Sequence, residues 1–234
     1  MYYPKHVAII PDGNRTRAKE NNVTISEAYW ISYQRGVDLL EYTFDNTDIE
    51  VFTLRWLSTE NTAKRPQEEY DFLMNMYKQV DSKLEIILEK NQINFTRIGN
   101  PAGVTEGFKN YLDERKAKFT YPNSKNRFVF AVNYGGRDEI IRGIQKLAQE
   151  GKDLKNVTEE DLSDALELGK IPPIELVIRT KGDQAQRTSG FMSWWIGYAE
   201  LYFTAKRCPE LDIQTYQEAL TWFNQMAEKR NYGK

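Results

Sequence analysis

The stretch HVAIIPDGNRTRAKENN, residues 6–22, sets the terms for the whole chain: a strand-like apolar run, an acid-glycine-amide turn and a cluster of bases. After its histidine the run HVAII shows no polar alternation, which is how a parallel strand covered on both faces reads. Similar runs recur at residues 49–57 (IEVFTLRWL), 93–98 (INFTRI), 127–132 (RFVFAV), 175–178 (ELVI) and 201–204 (LYFT). Between them lie helical patterns at residues 26–44, 67–91, 103–119, 137–150, 159–168 and 216–229. This alternation predicts an α/β fold, a mainly parallel sheet flanked by helices on both sides. The pattern over 67–91 is the strongest. Pro66 precedes it, Glu68 and Glu69 fall in its first turn, and Leu73, Met76, Tyr77, Val80, Leu84, Ile87 and Leu88 recur at helical spacing. Phe72 and Met74 widen the stripe, which fits either a buried core helix or the wall of an apolar ligand cavity.

With 234 residues, 40% of them apolar and 28% charged, the chain has the profile of one globular domain spanning residues 1–234. Its net charge of −2 argues against a nucleic-acid partner, because phosphate-tracking surfaces carry a clear basic excess. One cysteine, Cys208, and one histidine, His6, exclude an internal disulfide, a Cys/His zinc centre and multi-histidine catalysis. The lone cysteine fits a reducing, cytoplasmic setting. Any metal is then expected on oxygen ligands, as Mg²⁺ is. The apolar part of MYYPKHVAII is too short for a secretory signal, and no run nears the ~20 apolar residues of a membrane span. Membrane contact is therefore expected to be peripheral at most.

In open α/β sheets, ligands bind outside the carboxyl ends of the strands. After the first predicted strand come residues 11–14 (PDGN), and after the second residues 58–61 (STEN) with Lys64 and Arg65. After the fourth come residues 133–137 (NYGGR), and after the fifth residues 179–183 (RTKGD) with Arg187, Thr188 and Ser189. All four groups are expected to converge on one rim. Arginine, hydroxyl, amide and backbone N–H donors suit phosphate oxygens, and a carboxylate among them can hold a bridging Mg²⁺. The expected ligand is a diphosphate-type anion. Neither G-x-x-x-x-G-K-[ST] nor G-x-G-x-x-G occurs, and His6 at a strand start has no nucleophile elbow to serve.

Five ordered blocks carry a resemblance to a known family. HVAIIPDGN resembles H-x-A-x-I-x-D-G-N, and TLRWLSTENTAKRPQEE resembles T-x-Y-x-F-S-x-E-N-W-x-R-P-x-x-E. AVNYGGRDEI, VIRTKGDQAQRTSGF and WIGYAELYFT resemble N-Y-G-G-R-x-[DE]-I, I-R-T-G-G-E-x-R-x-S-N-F and W-Q-x-x-Y-A-E-L-Y-F-T. These are blocks of the cis-prenyltransferases, the undecaprenyl and related polyprenyl diphosphate synthases. The resemblance implies a mainly parallel six-stranded sheet, an apolar tunnel, a homodimer, and Mg²⁺-dependent condensation of an allylic diphosphate with isopentenyl diphosphate. It makes Asp12 the residue for Mg²⁺ and the leaving diphosphate, with Gly13 and Asn14 shaping that cradle, and Glu200 a second metal position. Arg179, Arg187 and Ser189 match the isopentenyl diphosphate clamp, Ser58 and Asn61 the polar pair near the reacting carbons, and Glu69 an acidic substrate-site position.

The chain departs from that pattern on the donor side. Where the family reads D-G-N-G-R-W, this chain carries Arg15, Thr16 and Arg17 after Asn14. An arginine one position to either side could reach the phosphate that Thr16 cannot. The family's H-x-x-G is absent, and Tyr29 or Trp30 falls near the missing histidine. Thr62 replaces a tryptophan, one extra residue precedes Arg65, the loop after the fifth strand is two residues longer, and Asp183 and Gly190 replace Glu and Asn. A prenyltransferase with an unusual donor, chain length or coupling mode is expected. The alternatives are an irregular, lavandulyl-type or cyclising enzyme, prenyl transfer to another acceptor, or a non-catalytic subunit, against which the retained Asp12 speaks.

Overall fold

A computed structural model describes residues 2–80 and 82–229. Strand β1 (His6–Ile10) is buried along its whole length, as its unbroken apolar run requires. The other strands are β2 (Val51–Arg55), β3 (Asn94–Ile98), β4 (Arg127–Ala131), β5 (Leu176–Arg179) and β6 (Glu200–Phe203). They form one six-stranded sheet in the order β3-β4-β2-β1-β5-β6, with every pairing parallel. The sequence-derived strands all appear, shifted at their ends by a residue or two.

Alternation along β1 divides the core. Val7 and Ile9 pack on one face with Leu39, Leu40, Leu73, Leu88 and Tyr216, whereas Ala8 and Ile10 pack on the other with Tyr134, Phe191 and Trp195. The first face is covered by α2 (Ile25–Asn46), α4 (Gln67–Asn75), α5 (Lys83–Lys90), α6 (Glu106–Lys118) and α9 (Ile213–Lys229). The second carries α7 (Gly136–Gln149) and α8 (Glu159–Ala165). Helix α2 begins at a capping box in which the Thr24 hydroxyl accepts from Glu27 N and the Glu27 carboxylate accepts from Thr24 N. Two short helices, α1 (Asn14–Glu20) and α3 (Thr59–Lys64), were not foreseen. Each starts where a strand-end loop turns back over the sheet edge.

The single helix expected over 67–91 is a correction. The segment is α4, a 3-10 turn at Met76–Gln79, extended backbone at Val80, and α5, with residue 81 outside the described residues. The apolar period survives the break because Leu73, Met76, Leu84, Ile87 and Leu88 all reach the same core. Burial, not hydrogen-bond continuity, set that pattern. No described helix is long and apolar enough to cross a membrane.

Candidate active site

The chain leaves β1 through Pro11, Asp12 and Gly13. Gly13 takes φ 102°, and a Cβ there would lie 2.9 Å from the Arg207 side chain, so both conformation and space require glycine. Asp12 is clamped through its backbone: its N–H donates to Thr180 Oγ1 (2.7 Å), and its carbonyl accepts from Thr180 Oγ1 (2.8 Å) and Cys208 N (2.9 Å). That clamp aims the carboxylate over β5. There Arg179, only 4% exposed, donates from Nη2 to Asp12 Oδ2 at 2.8 Å and from Nη1 to Ser189 Oγ at 3.0 Å and to the Arg187 carbonyl. Lys181 and Ser189 sit at φ 61° and 51°, a left-handed conformation that bulky side chains rarely hold and that recurs at functional loops. Asn14 Oδ1 accepts from Ser32 on α2.

The loop after β2 is tied to the loop after β4. Ser58 bridges Tyr134, its hydroxyl accepts from Asn61 N at 3.1 Å as the cap of α3, and its carbonyl accepts from Thr62 Oγ1 at 3.0 Å. Thr62 thus bonds back to the start of its own helix and is not among the residues lining the cavity. The residues 133–137 group also departs from expectation, since it lies behind the rim as a buttress. Gly136 N donates to Gly190 O at 2.9 Å, the Tyr134 ring meets Phe191 edge-on at 5.6 Å, and the Tyr134 hydroxyl donates to buried Glu139. Burial raises the Glu139 pKa above the usual carboxylate range.

On the opposite flank, Glu69 gathers its neighbours. Buried at 6% exposure, its carboxylate accepts from Arg15 Nη2 (2.7 Å), Arg65 and the Tyr29 hydroxyl (2.6 Å). The Arg65 guanidinium lies over the Tyr29 ring, 5.4 Å from its centroid. Of the two candidates for the missing histidine, Tyr29 is the one at the cavity; Trp30 stacks on Tyr33 at 5.3 Å away from it. Arg15 lines the cavity but is held by Glu69, and Arg17 turns away to Glu210 (3.0 Å) and Asn21 (2.8 Å). Thr16 does line the cavity.

Glu200 is the clearest correction. It starts β6 opposite Leu176, at the amino edge of the sheet, while Asp12 lies beyond the carboxyl edge. In a parallel sheet the length of a strand, about 10 Å for three steps, separates those edges, so one chain cannot bring both carboxylates to one ion. Among the described residues no group of three or more His, Cys, Asp or Glu could hold a metal alone. Asp12 is nevertheless suited to Mg²⁺. Its carboxylate is 37% exposed at the cavity, and a single carboxylate completed by phosphate and water oxygens is that ion's usual setting.

Together these groups enclose a cavity of about 410 Å³ lined by Asp12, Gly13, Asn14, Asn61, Arg179 and Arg187 among others. Behind it, past Gly36, Leu54, Trp56 and Leu73, an apolar sleeve of about 50 Å³ runs between Tyr33, Phe95, Tyr111 and Phe130. A polar, arginine-rich cavity thus opens on a narrow, aromatic-lined apolar space. Cys208 lies in the cavity wall, but burial pushes its thiol up to about 12, so it offers no thiolate. His6, pushed down to about 4 by burial, is neutral and remote at the amino end of β1. Sequence reading missed Ser32, Arg35 and Arg55, all in the wall. Ser32 and Tyr29 are three apart on α2, a helical spacing that could have flagged the pair.

A family model described as putative undecaprenyl diphosphate synthase matches residues 10–233. An isoprenyl transferase of Treponema denticola is 34% identical over 98% of this chain and 97% of its own length. A ditrans,polycis-undecaprenyl-diphosphate synthase of Vibrio vulnificus, specific for (2E,6E)-farnesyl diphosphate, is 32% identical over 98% and 90%. Among solved structures, lavandulyl diphosphate synthase from Lavandula x intermedia, in complex with dimethylallyl diphosphate, superposes with a TM-score of 0.86 at 28% identity, covering 94% of this chain and 95% of that one. A probable undecaprenyl diphosphate synthase from Campylobacter jejuni gives a TM-score of 0.73 at 26% identity, covering 96% of each chain.

Proposed function

Since the chain belongs to the undecaprenyl diphosphate synthase family of prenyltransferases, we propose that it condenses a short allylic prenyl diphosphate with isopentenyl diphosphate in a Mg²⁺-dependent reaction. The observation that carries this reading is the join between the cradle of Asp12, Arg179 and Ser189 and the apolar sleeve behind Leu54 and Trp56. A prenyl diphosphate has the same division, a doubly charged head on a hydrocarbon tail. The narrowness of the sleeve supports a short tail, because its volume has room for only a few waters.

In the reaction the allylic C–O bond breaks, the acceptor's alkene forms the new C–C bond, and the acceptor loses a proton. Asp12 would hold Mg²⁺, which when bound would supply positive charge to offset that of the leaving diphosphate. Arg179, Arg187 and Ser189 bind the second diphosphate and fix the acceptor's alkene beside the donor. Ser58 and Asn61, both in the cavity wall, stand near the reacting carbons. Preorganised positive groups stabilise the leaving diphosphate more as the bond breaks than before it.

An irregular, lavandulyl-type coupling is the second reading. It is supported by the likeness to the lavandulyl diphosphate synthase structure and by a donor flank where Thr16 replaces arginine and Glu69 holds Arg15. A homodimer is supported by Tyr198 and Leu201, both exposed at the β6 edge, and a cytoplasmic site by the single reduced cysteine. Purified protein is to be incubated with Mg²⁺, isopentenyl diphosphate and dimethylallyl, geranyl or farnesyl diphosphate. A short prenyl diphosphate product is expected, with mass and NMR reporting its length and connectivity. Consumption of none of these would overturn the enzyme reading in favour of a non-catalytic subunit, and a polyprenyl product would overturn the short tail.

A further inference from the structure

Arg55 ends β2, one residue beyond the pairing of Leu54 with Ile9. That register sets it beside Ile10, which pairs with Arg179 on the other flank of β1. Residues in one row of a parallel sheet point to the same face, so the two arginines flank β1 at its carboxyl edge, their Cα atoms about 10 Å apart across two strand spacings. Both side chains line the 410 Å³ cavity. The Arg55 guanidinium stands 5.5 Å from the centroid of the Phe191 ring on that same face. The tyrosine of the family pattern T-x-Y-x-F-S falls at this position, so neither the motif nor the family assigns an arginine here.

Most of the basic residues around it are paired: Arg15 and Arg65 share the Glu69 carboxylate, Arg17 meets Glu210 and Arg179 meets Asp12, whereas the Lys181 and Arg187 side chains, like that of Arg55, have no ion pair among the described residues. The Arg55 side chain makes no hydrogen bond or ion pair with any described residue; the Phe191 ring lies beside it, and Arg179, Glu60, Asp12 and Tyr134 act on it through their charges without touching it. Burial, with Arg179 second, pushes its pKa down to about 10, which leaves it charged at neutral pH. A partly desolvated cation whose donors have no acceptor is unfavourable until an anion pairs with it. Folding keeps that cost in place where a doubly charged ligand would relieve it.

We infer that Arg55 is a substrate-binding residue of this site, gripping the donor diphosphate held at Asp12 and replacing the contact that Thr16 cannot make, while Arg179 across β1 keeps its place in the clamp for the second diphosphate. The inference rests on the prenyl diphosphate reading above. Its test is binding of inorganic pyrophosphate with Mg²⁺ to the full chain by calorimetry, for wild type, Arg55→Gln and Arg55→Lys, alongside thermal melting and turnover. Loss of a charge-assisted contact should weaken pyrophosphate binding in Arg55→Gln about 10- to 100-fold, with partial recovery in Arg55→Lys. The melting temperature should hold or rise in Arg55→Gln, because an unpaired half-buried charge is removed; a merely structural arginine would lower it. Equal pyrophosphate affinity in wild type and Arg55→Gln overturns the assignment of Arg55 alone. Wild type that binds pyrophosphate but consumes no prenyl diphosphate overturns the enzymatic reading instead.

Discussion

At the amino ends of the strands His6 is fully buried, with Nδ1 2.7 Å from the Pro172 carbonyl and Nε2 2.6 Å from the Thr53 hydroxyl. At the carboxyl ends of the same strands Arg55 meets no polar partner among the described residues, Arg179 Nε is buried without one, and Lys181 and Ser189 hold left-handed backbone. The same sheet therefore satisfies its polar groups at one end and leaves them poised at the other. Polar groups left without partners cost stability and persist where a ligand completes them. Mutations at the carboxyl end should act on rate and binding, and mutations at the amino end on folding.

The largest test of that division is Asp12→Asn, which keeps an oxygen for Arg179 but removes the charge. Turnover with Mg²⁺ should fall about 10²- to 10³-fold, while the melting temperature falls because Arg179 loses its counter-charge; the rate loss should persist at temperatures where the variant is fully folded. Near wild-type turnover would remove Asp12 from the chemistry.

His6 sharpens the other end. Its folded pKa is about 4 against 6.5 unfolded, so between those values the unfolded chain takes up a proton that the folded chain refuses. Its contribution is complete above pH 6.5 and is lost as pH falls toward 4, about 3 kcal/mol in all. Denaturant unfolding of wild type and His6→Gln across that window should show the steeper acid limb in wild type. Parallel pH profiles would show that His6 is not buried neutral.

The smallest effect belongs to Gly13, where both kinds of cost meet. Gly13→Ala forces an L-residue to φ 102° against Arg207 and should cost about 1–2 kcal/mol in equilibrium unfolding. It should also lower turnover, because the same turn orients Asp12. A change in stability with no change in rate would separate the turn from the site.

Much of this was legible locally. β1 runs from His6 to Ile10 as its unbroken apolar run implied, and Asp12, Asn61, Arg179 and Ser189 line one cavity because each ends or follows a strand whose end the sequence marks. The failures share a cause. Arg15 looked available, yet it is bound by Glu69, 54 residues away. The 67–91 pattern looked like one helix, yet a common core imposes the same period on α4 and α5 across a break. Residues 133–137 looked like rim and proved to be buttress, because Gly136 is filled against Gly190.

The sequence by itself determined the alternation of buried strands and amphipathic helices, hence the parallel sheet and the edge where a ligand must bind. It also set the chemistry available there, since oxygen ligands and arginines are plentiful and the chain has only one histidine and one cysteine. Only the tertiary structure decided which charges are spent on one another. Ion pairs such as Arg15 with Glu69 and Arg179 with Asp12 join residues far apart in the chain, and no local period records them. Strand register likewise put Arg55 and Arg179 on the two flanks of β1 in one row, because a side chain's neighbours across a sheet are set by pairing and not by its own segment.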